Sequence, residues 1–259
     1  MPQVRTEDAI LNVEVDGEGE PVTVLAHGLT NNCKELAAFT PFVPGTKVRF
    51  DFRGHGRSTA PATVFGFADF ARDLDAVASA YGATRAVGTS LGAGAIANLL
   101  CRDPGRFERT VWLMPAALDG AFAFKERYRR LAADLEGKTA DEALQVVLSD
   151  PGRVAEYLRE PWREDLDRVM WAHADPDGLA HAIRGVIEDW PVDDRELLRR
   201  IQAPVLLICI EGDEVHAVEL GRLLAELLPN AELLVYGGER ALLEALPELV
   251  QRVAVFLAG

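Results

Sequence analysis

"RAVGTSLGAGAIANLLCRD", residues 85–103, decides how this chain is read. Its first part is a short apolar run of the size of a buried strand, and its second repeats apolar and small residues at helical period. Between them stands G-x-S-x-G, from Gly88 to Gly92. Glycines flanking a serine permit a strained strand-to-helix turn that lifts the Ser90 oxygen above the edge of a sheet. Three fixed positions in five residues carry little alone, so the meaning of this stretch rests on what surrounds it.

Outward from it, short apolar runs bounded by turn residues alternate with helical stretches. The strand-like runs are "VTVLAH" (22–27), "KVRFD" (47–51), "RAVGTS" (85–90), "RTVWLMP" (109–115), "PVLLICI" (204–210) and "AELLVYG" (231–237), with "AILNVEVDG" ahead of them. Helical period marks "FGFADFARDLDAVASAYG", "LGAGAIANLLCRD", "VELGRLLAELLPN" and the final "ALLEALPELVQRVAVFLAG". This is the pattern of βα units in a mostly parallel sheet flanked by helices, an α/β fold. Residues 118–200 depart from it and read as consecutive amphipathic helices divided by Pro, Gly and Asp. An insertion between two strands of a parallel sheet sits most naturally over the strand carboxyl ends, where such sheets bind ligands. The expected division is a core of residues 1–117 and 201–259 carrying a helical lid of 118–200.

With 259 residues, nearly half of them apolar, the chain can bury a sizeable core. A formal net charge of −14 argues against a nucleic-acid partner, which needs a concentrated basic surface. Cys33, Cys101 and Cys209 are widely spaced and odd in number, which predicts buried thiols and neither a disulfide framework nor a zinc site. The longest apolar runs are strand-sized, far below the ~20 residues that span a bilayer. No secretory pattern opens the sequence, and the expectation is a cytoplasmic protein with no cofactor, no metal and no membrane partner.

Two further turns support the serine motif: "AHGLTNN" (26–32) after one core strand and "DFRGHGRS" (51–58) after the next. Together with "LNVEVDGEGEPVTVLAHG", which is similar to an opening hairpin and its His-Gly turn, they make the chain resemble the α/β-hydrolase superfamily over nearly its whole length. The resemblance implies Ser90 as nucleophile. It also implies an oxyanion hole from the N–H groups of Leu29 and Leu91, which would face negative charge developing on a carbonyl oxygen. The acid follows the next-to-last strand, where "CIEGDEVHA" offers Asp213.

The base is where the sequence departs from the family. A histidine is expected after the last strand, seven residues before a Pro-Glu pair. Counting back from Pro247-Glu248 reaches Arg240, or Glu239 if the loop is one residue longer. An arginine has no acceptor lone pair and cannot take a proton from serine. It suits pairing with Asp213 or holding a substrate carboxylate, whereas Glu239 beside Asp213 would resist ionisation unless Arg240 neutralised one of the two. Loss of a triad histidine costs about 10⁶-fold in kcat, so a replacement or a different function is implied.

Five histidines are available: His27, His55, His173, His181 and His216. His27 and His55 sit in the family turns, as structural residues or as lining of the site. His216 lies three residues beyond Asp213 and suits either a base supplied from a different strand end or a cap of the next helix. Trp112, Trp162, Trp171, Trp190, Phe122, Phe124 and Met114 suit either lid packing or an apolar pocket for an apolar or aromatic small molecule. "FKERYRR" reads as a solvated helix face. The leading expectation is an enzyme cleaving an ester, thioester or related carbonyl compound. A non-hydrolytic lyase, dehydratase or cyclase using the oxyanion hole, and an inactive small-ligand binding protein, are the alternatives.

Overall fold

Alternating apolar runs and helical stretches build one eight-stranded sheet with helices on both faces. The computed structural model describes residues 2–120, 124–149, 168 and 171–259. The strands are β1 (Gln3–Arg5), β2 (Ile10–Asp16), β3 (Val22–Ala26), β4 (Thr46–Phe50), β5 (Arg85–Thr89), β6 (Arg109–Leu113), β7 (Val205–Ile210) and β8 (Ala231–Tyr236). They lie in the order β1-β2-β4-β3-β5-β6-β7-β8, with the first two pairings antiparallel and the rest parallel.

The central strands are buried along nearly their whole length and mostly apolar because both of their faces are covered. Leu25, Val87, Val111 and Leu206 stand side by side across β3, β5, β6 and β7. They share a cluster with Leu249, Val253 and Leu257 of the last helix, α8 (Leu246–Ala258). The alternate residues Val24, Ala86, Trp112 and Leu207 face the other way. They join Leu74 of α1 (Phe67–Tyr81), Ile96 of α2 (Leu91–Arg102) and Leu224 of α6 (Val218–Leu227). Each such fully buried aliphatic side chain contributes about 1.5–3 kcal/mol relative to exposure.

Three details differ from the sequence reading. Strand β1 was not expected, because three residues alternating exposed and half-buried carry no apolar signal. Strands β2 and β3 do not pair as a hairpin: parallel pairing with β4 and β5 uses both edges of β3, so β2 crosses over to β4 with Val13 opposite Phe50. The final helical stretch is two helices, α7 (Glu239–Glu244) and α8, parted at Ala245 just before Pro247.

Within 118–200 the described helices are α3 (Lys125–Leu135), α4 (Ala140–Ser149) and α5 (Pro176–Val186), followed by a 3₁₀ turn over Arg195–Arg200. The expected helix around 151–173 lies largely outside the described residues, as do Phe122 and Trp162. The segment's two stems meet, Val192 N–H donating to the Leu118 carbonyl at 3.0 Å. Asp189 accepts from the first amide of α1 at 2.8 Å, and Asn98 of α2 donates to the Pro191 carbonyl at 2.8 Å. All three cysteines are buried free thiols. Among the described residues, no helix is long and apolar enough to cross a membrane, and no cluster of His, Cys, Asp or Glu has the makings of a metal site.

Candidate active site

Ser90 occupies the turn between β5 and α2 with φ 49° and ψ −103°. Its N–H is held by the Leu113 carbonyl at 2.9 Å, and its own carbonyl accepts from Gly94 at 3.0 Å. The flanking glycines answer to space: a β-carbon on Gly88 would lie 2.5 Å from the backbone of Gly92, and one on Gly92 would lie 2.2 Å from the Ala26 carbonyl oxygen. The serine itself takes the backbone strain. Among the described residues three non-glycines have positive φ, and Thr30, Ser90 and Met114 follow β3, β5 and β6 respectively. Strain of this kind costs on the order of 1–3 kcal/mol per residue and gathers at functional sites.

Asp213 follows β7 and folds its own loop. Its Oδ1 accepts from the amides of Val215 at 2.9 Å and His216 at 3.0 Å, the turn an Asp side chain forms with backbone two and three residues on. That turn brings the His216 ring back against the second oxygen, with Nδ1 2.8 Å from Oδ2. The other ring nitrogen, Nε2, lies 3.1 Å from Ser90 Oγ. With Nδ1 protonated toward the carboxylate, Nε2 has a lone pair for the serine hydroxyl. Burial opposes ionisation of Asp213, but the hydrogen bonds and charge of the His216 ring, with the two amides, outweigh it and hold the carboxyl below its usual range. His216 therefore meets both Ser90 and Asp213. It does not cap the next helix: the residue before α6 is Ala217, with no side-chain cap.

Arg240 lies elsewhere. It is on α7 with its side chain 93% exposed, its Nε paired to Glu244 at 2.9 Å, so it neither faces Ser90 nor pairs with Asp213. Glu239 is the first residue of the same helix. The expectation that Arg240 faces the serine gives way because its side chain runs outward from a short helix.

His27 is buried and does not line the cavity. Its Nε2 accepts from Phe52 N–H at 3.0 Å, which fixes the proton on Nδ1, donated to the Gly28 carbonyl at 2.8 Å. Burial lowers its pKa to about 4, and His55 falls to about 3 through burial and the neighbouring His27. Both are neutral structural imidazoles that tie the His-Gly turn to the loop after β4. That loop is itself anchored by Arg53, whose guanidinium meets buried Asp73 at 2.7 Å and 2.9 Å. His173 sits against Arg57, and neither it nor His181 lines the cavity.

The Gly28-Leu29 turn is braced by the Glu35 carboxylate. Gly28 N–H donates to Glu35 Oε2 at 2.6 Å, and Asn31 Nδ2 donates to the other oxygen of Glu35. The Leu29 amide donates to no group among the described residues. Leu91, as the first residue of α2, has an N–H without an intrahelical acceptor. Leu29, Leu91, Ser90 and His216 all line one cavity of about 240 Å³, whose far wall includes Tyr128 of α3 and Val186 of α5.

Sequence reading did not single out Glu35, Phe67 or Tyr128 for this cavity. Tyr128 sits inside "FKERYRR", whose charged neighbours made the whole stretch read as solvated. Of the aromatic set, Trp112 and Trp171 are buried in the core and Trp190 is 40% exposed, while Met114 alone among the described members of the named group borders the cavity.

A strained serine on a strand-to-helix turn at the carboxyl edge of this sheet defines the class, and comparison agrees. The family model described as alpha/beta hydrolase fold matches residues 24–243, and the chain belongs to that family. The bifunctional esterase/perhydrolase DCH of Acinetobacter calcoaceticus is 27% identical over 210 residues, covering 74% of this chain and 73% of the relative. Among solved structures, a hydrolase from Pseudomonas aeruginosa is similar with a TM-score of 0.82 and 27% identity, covering 100% of this chain and 98% of that one. An enol-lactonase from Burkholderia xenovorans shares the fold with a TM-score of 0.82 and 24% identity, each chain covered completely.

Proposed function

We propose that the protein is a serine hydrolase of small carboxylic esters, including cyclic ones, with Ser90 as nucleophile, His216 as base and Asp213 as the group that orients it. The observation that carries this reading is the continuous chain of hydrogen bonds from Asp213 through His216 to Ser90, at 2.8 Å and 3.1 Å. The esterase relative supports the same substrate class, and the similar hydrolase structure supports hydrolysis.

In this mechanism His216 Nε2 takes the proton as Ser90 Oγ attacks the ester carbonyl, and Asp213 stabilises the imidazolium. The amides of Leu29 and Leu91 hold the tetrahedral oxyanion, an interaction worth about 3–4 kcal/mol per donor where measured in other enzymes. His216 then gives its proton to the departing alkoxide, leaving an acyl-serine. Water deprotonated by the same imidazole cleaves that ester, releasing the acid and restoring Ser90. The described helices of the 118–200 segment serve as the lid on this reading, with Tyr128 and Val186 contributing to the cavity lining.

The lyase and binding-protein readings drew their force from a missing imidazole, and His216 beside Ser90 removes that reason. The test is turnover of p-nitrophenyl acetate by the wild type, Ser90→Ala and His216→Ala. Saturable release of nitrophenol, lost in both variants, is expected. Turnover that persists in Ser90→Ala would overturn the assignment.

A further inference from the structure

Adjoining the first cavity is a second of about 150 Å³, walled by Leu36, Phe39, Ile208, Ile210, Leu242 and Leu246. It shares Glu35, Thr89 and Met114 with the first, so these three residues form a wall common to the two spaces, with Thr89 next to Ser90 in the chain. Neither Asp213 nor His216 borders it. The segment after β8, which carries no imidazole, contributes Leu242 of α7 with Leu246 and Leu249 of α8.

We infer that this chamber is the acyl-chain subsite of the enzyme, taking an unbranched aliphatic chain of about six carbons, the scale set by benzene filling a cavity of the same volume. The inference rests on the serine-hydrolase reading above. Its direction follows from the proton: the leaving alkoxide must receive it from His216, so the alcohol half of the ester stays in the cavity that His216 borders. The acyl half is left to enter the chamber that His216 does not border. Beyond Glu35 and Thr89 the wall is apolar, matching a hydrocarbon and excluding a charged chain end. At the junction the Thr89 hydroxyl is buried with no hydrogen-bond partner among the described residues, a place for an ester oxygen. Met114, an adaptable side chain on a strained backbone, stands in the wall between the spaces.

The experiment is kcat/KM for p-nitrophenyl acetate, butyrate, hexanoate and octanoate with the wild type, Leu242→Phe and Leu242→Ala. In the wild type kcat/KM is expected to rise about fourfold per methylene buried, up to hexanoate, and to level or fall at octanoate. Filling the chamber with Leu242→Phe lowers the hexanoate-to-acetate ratio about tenfold or more, and enlarging it with Leu242→Ala moves the optimum toward octanoate. A profile that is flat, or the same in all three proteins, overturns the subsite while leaving the hydrolase reading intact. No turnover of any ester, with no reaction of Ser90 toward a fluorophosphonate, overturns both. Should Leu242→Phe fail to fold, the opposite shift expected of Leu242→Ala still decides.

Discussion

Two loops at the carboxyl edge of the sheet divide the work unequally. The loop after β7 puts the proposed acid and base three residues apart, and one aspartate organises the loop, binding two amides with one oxygen and the imidazole with the other. The segment after β8, where the family resemblance puts the base, is a short helix with an exposed Arg240 and leucines turned toward an apolar chamber. The difference teaches that a triad is defined by where its atoms meet. A base near Ser90 can be delivered from β7 as well as from β8, provided its approach is braced. On the proposed reading the brace is local and the acid and base form one unit, while the β8 segment lines the apolar chamber.

The largest effects are expected at the serine and its neighbouring imidazole. Ser90→Ala and His216→Ala are each expected to lower kcat about 10⁶-fold, and the double variant no further, because the groups act as a unit. Independent losses that multiply would show that His216 does not act through Ser90. Asp213→Asn is expected to cost about 10⁴-fold by presenting the wrong hydrogen-bond partner to His216 Nδ1, measured as kcat on the same ester. Equal activity in that variant would detach the acid from the unit.

A smaller effect separates the cavity histidine from the buried ones. His27 and His55 are held neutral, with pKa values of about 4 and about 3, so unfolding lets each bind a proton below pH 6.5. Stability that is fully present above that pH is therefore lost as pH falls toward 4, with a slope approaching about 2.7 kcal/mol per pH unit for the two groups. Urea unfolding from pH 7 to 4 checks this, and His55→Gln should flatten the slope by about half. The smallest expected effect is at the β8 segment: Arg240→Ala leaves ester turnover within about twofold, and a large loss there would restore that segment to the site.

How much of this could be read from residues differs by element. The elbow, the His-Gly turn and the strands were legible because each depends on a local pattern: a glycine pair with no room for β-carbons, or an apolar run covered on both faces. Asp213 was legible by its place after β7. His216 is a candidate catalytic residue by its place three residues beyond Asp213, but its distance to Ser90 depends on a side-chain turn that no periodicity records. Glu35 and Tyr128 were missed because a carboxylate bracing two donors, and an aromatic among arginines, look like ordinary surface residues until the chain is folded. Strand β1 and the β2 crossover were missed because pairing partners are non-local.

The most direct test of the central claim is the second-order rate of fluorophosphonate labelling, compared between wild type, His216→Ala and Arg240→Ala. The account predicts rapid labelling of Ser90 in the wild type and in Arg240→Ala, and a rate lower by several orders of magnitude in His216→Ala. Undiminished labelling of His216→Ala, or its loss in Arg240→Ala, would contradict the assignment of the base to the β7 loop.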